Sequence, residues 1–148
     1  MNLKLLDYQP FIEIKRSNGR VEIKDPVRNK YLALTPEEHV RQLFIQYLIR
    51  FKGYSKNRLS IEREIHYNQR QKRFDLLIYD QAMQPYMLVE CKAPRVKLKQ
   101  DTSEQISSYN QGLRVPYLCM TNGQETLVFK MDYQIHQAQL LAEFPDAP

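Results

Sequence analysis

The chain has 148 residues, of which 43% are apolar and 26% charged, with a net charge of +5 and a pI near 9.2; this is one ordinary globular domain with chain enough for a single core. No run approaches the roughly 18 apolar residues of a membrane span, and the start MNLKLLDYQPFIEIK has no apolar core behind a basic stretch, so it does not read as a signal peptide. Cys91 and Cys119, the two cysteines, sit in apolar strand-like contexts and read as buried thiols of a cytoplasmic protein, not as a disulfide.

FIEIKRSNGRVEIKD alternates on either side of Asn18-Gly19, a two-residue hairpin signal because both positions of a type I′ turn need positive φ. A β-hairpin is expected across residues 10 to 24. TPEEHVRQLFIQYLIRF then marks a helix: Thr35 as N-cap, Pro36 at the first helical position and Glu38 at the third make a capping box. Val40, Leu43, Phe44, Tyr47, Leu48 and Phe51 recur at helical spacing as its apolar face, and Gly53 stops it. IEREIHY (61–67) suits a strand. RFDLLIYD (73–80) and PYMLVEC (85–91) are short, nearly continuous apolar runs joined by a turn, the pattern of adjacent strands in a buried sheet.

Residues 102–114, TSEQISSYNQGLR, carry Ile106, Tyr109 and Leu113 at helical spacing. PYLCMTNG and TLVFKMD predict two further strands around Asn122-Gly123, and IHQAQLLAEF a short amphipathic helix at the end. The central order is helix, three strands, helix, strand: an α/β or α+β domain with a mixed sheet flanked by helices. Residues 1–148 read as one domain, with the hairpin of residues 1–24 as an embellishment.

Two carboxylates interrupt the buried strands. With the turn centred between residues 82 and 83, Asp75 lies opposite Glu90 across the antiparallel ladder. Lys92 is two residues on, hence on the face of Glu90. Burying two carboxylates together is unfavourable unless a cation neutralises them. Two hard oxygen ligands, a backbone carbonyl and waters suit Mg²⁺ or Mn²⁺. With an ammonium beside it, such a site suits phosphodiester hydrolysis: the metal activates water, and the lysine positions it or stabilises developing charge. Arg70, Lys72, Arg73, Arg95, Lys97 and Lys99 gather positive charge around these acids and favour a polyanionic partner. The bland alternative is an Asp75–Lys92 strand-end ion pair with Glu90 in solvent. His39, His66 and His136 have no ligand spacing.

Asp75 followed by Glu90-x-Lys92 resembles the PD-(D/E)xK nuclease superfamily, as does the αβββαβ order, and Gln105-Ile106-Ser107-Ser108-Tyr109 is similar to the Q-x-x-x-Y of its RecB-like branch. More narrowly, DPVRNKYLALTPEEHVRQ, KRFDLLIYD, LVECKAP, QISSYN and YLCMTNG resemble the N-terminal nuclease domain of type I restriction enzyme R subunits in its stand-alone form, over residues 25 to 132. Phe74 stands where the motif name has proline. The resemblance implies a restriction-endonuclease-like core. It makes Asp75 and Glu90 metal ligands with the carbonyl of Cys91 as a third, and Lys92 the catalytic lysine. Gln105 and Tyr109, one helical turn apart, would steady the site or contact the DNA backbone; without it they read as an ordinary half-buried helix. It also brings a first-helix glutamate toward the metal, directly or through water: Glu38, with Glu37 as the competitor.

Gly19, Gly53, Gly112 and Gly123 are the only glycines, and no G-x-x-x-x-G-K-[S/T] occurs. A translocase would have to be a separate polypeptide. No helix-turn-helix or zinc module reads sequence, so a specificity partner, or a DNA structure, would direct cleavage. Sites of this kind sit in a cleft that a homodimer or partner could extend. The expected activity is a metal-dependent deoxyribonuclease. The alternatives are a catalytically silent nucleic-acid-binding or assembly module of a restriction or repair complex, and a plain interaction domain with a structural ion cluster.

Overall fold

The computed structural model describes residues 1–67, 70–99 and 112–148. Most of the helix predicted over 102–114, with Gln105 and Tyr109, lies outside the described residues, as do the side chains of Arg70, Lys72 and Arg73. A 3-10 turn over Leu5–Phe11 leads into a three-stranded antiparallel sheet, β1 (Ile14–Ser17), β2 (Arg20–Asp25) and β3 (Lys30–Ala33). Asn18 and Gly19 have φ of 50° and 72°, the two positive values that a type I′ turn requires.

Helix α1 (Pro36–Arg50) starts as predicted: the Thr35 hydroxyl accepts from the Glu38 amide at 3.0 Å. The second half of the capping box is absent, because the Glu38 carboxylate is engaged by arginines instead. Val40, Leu43, Phe44, Tyr47 and Leu48 are buried as expected, but Phe51 is 68% exposed and only stacks on Tyr47, since the helix ends there. Glu38, Arg41, Gln42 and Gln46 are also buried. The N-terminal turn and β2 both pack on α1.

The main sheet has six strands in sequential order: β4 (Leu59–Tyr67), β5 (Arg70–Tyr79), β6 (Pro85–Cys91), β7 (Tyr117–Thr121), β8 (Thr126–Asp132) and β9 (Gln137–Leu140). Among the described strands only β6 and β7 pair in parallel, so the sheet is mixed, and a parallel pair demands a crossover between Cys91 and Tyr117. β9 corrects the terminal helix expected for IHQAQLLAEF. These residues extend the open edge of β8 as a ladder from Phe129↔Leu140 to Asp132↔Gln137, and the unpaired edge of β8 outweighs local helix propensity. The sheet's two faces carry separate cores. Leu76, Ile78, Met87, Val89, Cys91 and Cys119 pack with α1. Phe74, Leu77, Leu88, Leu118 and Phe129 form a second cluster on the other face.

Candidate functional site

β5 and β6 pair as Leu76↔Val89, Leu77↔Leu88 and Ile78↔Met87. The same register places Asp75 opposite Glu90, one step beyond the last paired residues. The ladder between β4 and β5 runs Ile61↔Leu76 and Arg63↔Phe74 and skips the position between them, Glu62 opposite Asp75. Glu62 has φ of 50°, a left-handed conformation that strands ordinarily exclude. Strict alternation fails here as well: Phe74 and Leu77 both pack in the far-side cluster, whereas Leu76 packs toward α1. The irregularity frees Asp75 from the ladder. One of its oxygens, Oδ2, accepts the Cys91 amide at 2.8 Å, and Oδ1 lies 3.6 Å from Arg41 Nη2 on α1.

Lys92 Nζ lies 2.5 Å from Glu90 Oε1. Its backbone is anchored, since the Lys92 amide donates to Thr121 O at 2.8 Å and so extends the β6–β7 pairing past Cys91. The following loop is tied to the same strand end: Asn122 Nδ2 donates to Val96 O at 2.9 Å. Arg95, Lys97 and Lys99 lie on this loop, exposed.

Burial raises the Asp75 carboxyl from 3.8 to about 6; the Cys91 amide and Arg41 work against that rise, and the negative charges of Glu37 and Glu90 add to it. The bond from Glu90 holds the Lys92 ammonium above its usual range, against a smaller opposing effect of burial, with Glu37 and Asp75 adding to the rise. Asp75, Glu90, Lys92 and the exposed Glu37 therefore act on one another. Burial pushes the Cys91 thiol up, so that side chain stays neutral and belongs to the core.

Glu38 is placed differently from Glu37. Its Oε2 lies 3.2 Å from Arg41 Nη2, and Oε1 accepts from Gln42 Nε2 at 3.0 Å. Of the two helix-start glutamates, Glu38 is committed to buried partners, and Glu37 is the one whose field reaches Asp75 and Lys92. Arg41, Glu62 and Arg28 were not among the residues singled out from sequence. The Glu38-x-x-Arg41 spacing was a readable helical ion-pair signal, but the other two carboxylates that meet Arg41, Glu62 and Asp75, come from β4 and β5. Among the described residues, no helix is long and apolar enough to cross a membrane.

The chain matches the family described as type I restriction enzyme R protein N terminus (HSDR_N) over residues 36–145. That span begins at the first residue of α1, includes Asp75, Glu90 and Lys92, and leaves the three-stranded sheet outside. A fragment described as an HsdR subunit of a type I restriction enzyme from Vibrio vulnificus YJ016 has a similar fold, with a TM-score of 0.54 and 24% identity. The similarity covers 78% of this chain and 24% of that one, so the chain spans about a quarter of that fragment's length. No curated protein matches the sequence.

Proposed function

The chain belongs to the type I restriction enzyme R protein N-terminal family, and we propose that it is a divalent-metal-dependent nuclease of the PD-(D/E)xK kind acting on DNA. The observation that carries this reading is the β5–β6 register, which sets Asp75 across from Glu90 and leaves Lys92, two residues on, bonded to Glu90 at 2.5 Å.

The donor set fits Mg²⁺ or Mn²⁺. Asp75 and Glu90 are hard oxygen donors, and the mutual repulsion that helps lift Asp75 to about 6 is what a cation between them would relieve. Among the described residues, no three His, Cys, Asp or Glu side chains gather closely enough to hold a metal alone. The set is therefore Asp75, Glu90 and the backbone carbonyl of Cys91, completed by water, with Glu37 better placed than Glu38 to approach. When bound, the cation supplies a water of lowered pKa and screens the phosphate. Lys92, a cation at the working pH, sits beside the attacking water and meets the charge developing on phosphorus-bound oxygen. Arg95, Lys97 and Lys99 contact the DNA backbone, which positions it without reading sequence. These 148 residues hold no P-loop for translocation.

The test is cleavage of plasmid and single-stranded DNA with Mg²⁺ or Mn²⁺. Wild type should cut, and Glu90→Ala and Lys92→Ala should each lose at least about a hundredfold, the scale of removing one transition-state contact. Equal activity in all three proteins would refute the assignment.

One observation favours a second reading, a silent DNA-binding or assembly module. Both acids already have cationic partners, Arg41 at 3.6 Å and Lys92 at 2.5 Å. That reading predicts no cleavage by wild type and no Mn²⁺ uptake in titration calorimetry.

A further inference from the structure

Arg41 lies on α1 with only 4% of its surface exposed. A buried guanidinium is tolerated when acceptors surround it, and here two terminal nitrogens serve three carboxylates from three elements. Nη1 lies 3.0 Å from Glu62 Oε1 on β4. Nη2 lies 3.2 Å from Glu38 Oε2 on α1 and 3.6 Å from Asp75 Oδ1 on β5.

Its two nearer partners are themselves braced. Arg28 Nη1 is 3.3 Å from Glu62 Oε2, and Arg28 Nη2 is 3.7 Å from Glu38 Oε1. Arg28 is anchored in turn by Nε to the fully buried Asp25 Oδ2 at 2.6 Å. Each glutamate thus holds one arginine with each oxygen, which fixes where the Arg41 fork can sit. Glu62 reaches this position from a left-handed backbone directly across from Asp75. Non-glycine residues keep such a conformation where their surroundings over-determine it, and the two arginine contacts do so here.

We propose that Arg41 is a positioning residue for Asp75: its guanidinium fork, braced by Glu38 and Glu62, fixes the second oxygen of a carboxylate whose first oxygen is held by the Cys91 amide. The role assigned to Asp75 rests on the nuclease reading; the contact itself does not. Because Arg41 is buried, it orients the ligand without touching DNA. A planar fork presents two separated donors toward Glu62 on one side and Glu38 and Asp75 on the other, and a lysine ammonium supplies the charge but not this spread.

The test uses the full chain with Arg41→Lys and Arg41→Met, each with and without Asp75→Asn. Urea unfolding of the metal-free proteins reads the contact as a double-mutant cycle. Asp75→Asn should be at least fivefold more favourable to the folding equilibrium in the Arg41→Met background than in wild type, because there it removes an acid that has lost its cation. Should Arg41→Met not fold, an Arg41→Gln background, which also lacks the cation, reads the same cycle. Cleavage kinetics read the positioning. Arg41→Lys, with an intact melting transition, should lose at least thirtyfold in kcat with the KM for DNA within threefold of wild type. Coupling below twofold overturns the contact, and an undiminished kcat in Arg41→Lys overturns the fork. Absence of cleavage by wild type refutes the nuclease reading instead, while the unfolding cycle still decides the contact.

Discussion

The Asp75 carboxyl should make the metal-free protein lose stability as pH rises, and Asp75→Asn should remove that loss. Its pKa in the folded protein is about 6, against 3.8 for the free side chain, because burial penalises its charge more than Arg41 and the Cys91 amide favour it. The folded state therefore binds the proton more tightly than the unfolded state does. A raised carboxyl contributes stability that is fully present below the unfolded value, near 4, and is lost as pH climbs through 6. A rise of this size is worth about 3 kcal/mol over the whole window. Most acid-side complications are avoided by working between pH 5 and pH 8, where linkage leaves about 1.4 kcal/mol of the effect. Urea unfolding in chelator should show Asp75→Asn gaining that amount relative to wild type on moving from pH 5 to pH 8. Titrating groups remote from Asp75 are common to both proteins and cancel. A difference that is flat within about 0.5 kcal/mol, or that moves in the opposite direction, would mean that Asp75 is solvated or fully neutralised by Arg41 and would refute the account of its environment.

Thr35→Ala removes the acceptor of the Glu38 amide and should lower unfolding free energy by about 1 kcal/mol, read as a shift in urea midpoint with an unchanged slope. Arg28→Met leaves Glu38 and Glu62 short of a cation beside the buried Asp25; a loss of about 3–5 kcal/mol is expected by denaturant titration, and a neutral result would show that the cluster is solvated. Phe44→Ala, at a fully buried position facing Tyr47 and Phe144, should cost about 3–5 kcal/mol in the same assay. Gly123→Ala should destabilise by about 1–2 kcal/mol, because φ is +89° and the new Cβ would meet Val40 Cγ2 at 3.2 Å; unchanged melting would show that the β7–β8 turn can relax away from α1.

What could be read from the sequence is what short-range physics decides. Asn18-Gly19 specifies a turn by the φ values its two residues tolerate, and the hairpin is there. Thr35 and Pro36 specify a helix start, and α1 starts there. The symmetry of RFDLLIYD and PYMLVEC about their turn gives the register that puts Asp75 opposite Glu90, and Leu76↔Val89 obeys it. The misses follow a common rule. IHQAQLLAEF has good local helix formers, yet a four-residue strand wins because β8 has an edge to fill. KYLA is too short to announce β3, which is fixed by β2 beside it and by the Asp25 side chain accepting the Val27 and Arg28 amides in the turn between them. Arg41 is not part of the apolar face that helical spacing marks out on α1. It is buried against Glu38, Glu62 and Asp75, and Glu62 and Asp75 lie on strands that no helical period can reveal.

The same geometry changes what the three-stranded sheet is for. From sequence only its hairpin, residues 1–24, is an embellishment and the resemblance starts at residue 25, whereas the family match begins after the whole sheet, at residue 36. Yet Asp25 at the end of β2 fixes Arg28, and Arg28 holds the second oxygens of Glu38 and Glu62. Without it, one cation would face three acids, and Arg41 would be drawn toward Glu38 and Glu62 by the charge they had just lost a partner for. Its longest contact, the 3.6 Å one to Asp75, is the first that such a shift would open. A chain trimmed to the matched span would keep Asp75, Glu90 and Lys92 in sequence while losing the charge balance that lets Asp75 stay oriented. The support of the site therefore extends beyond the segment that carries its motif.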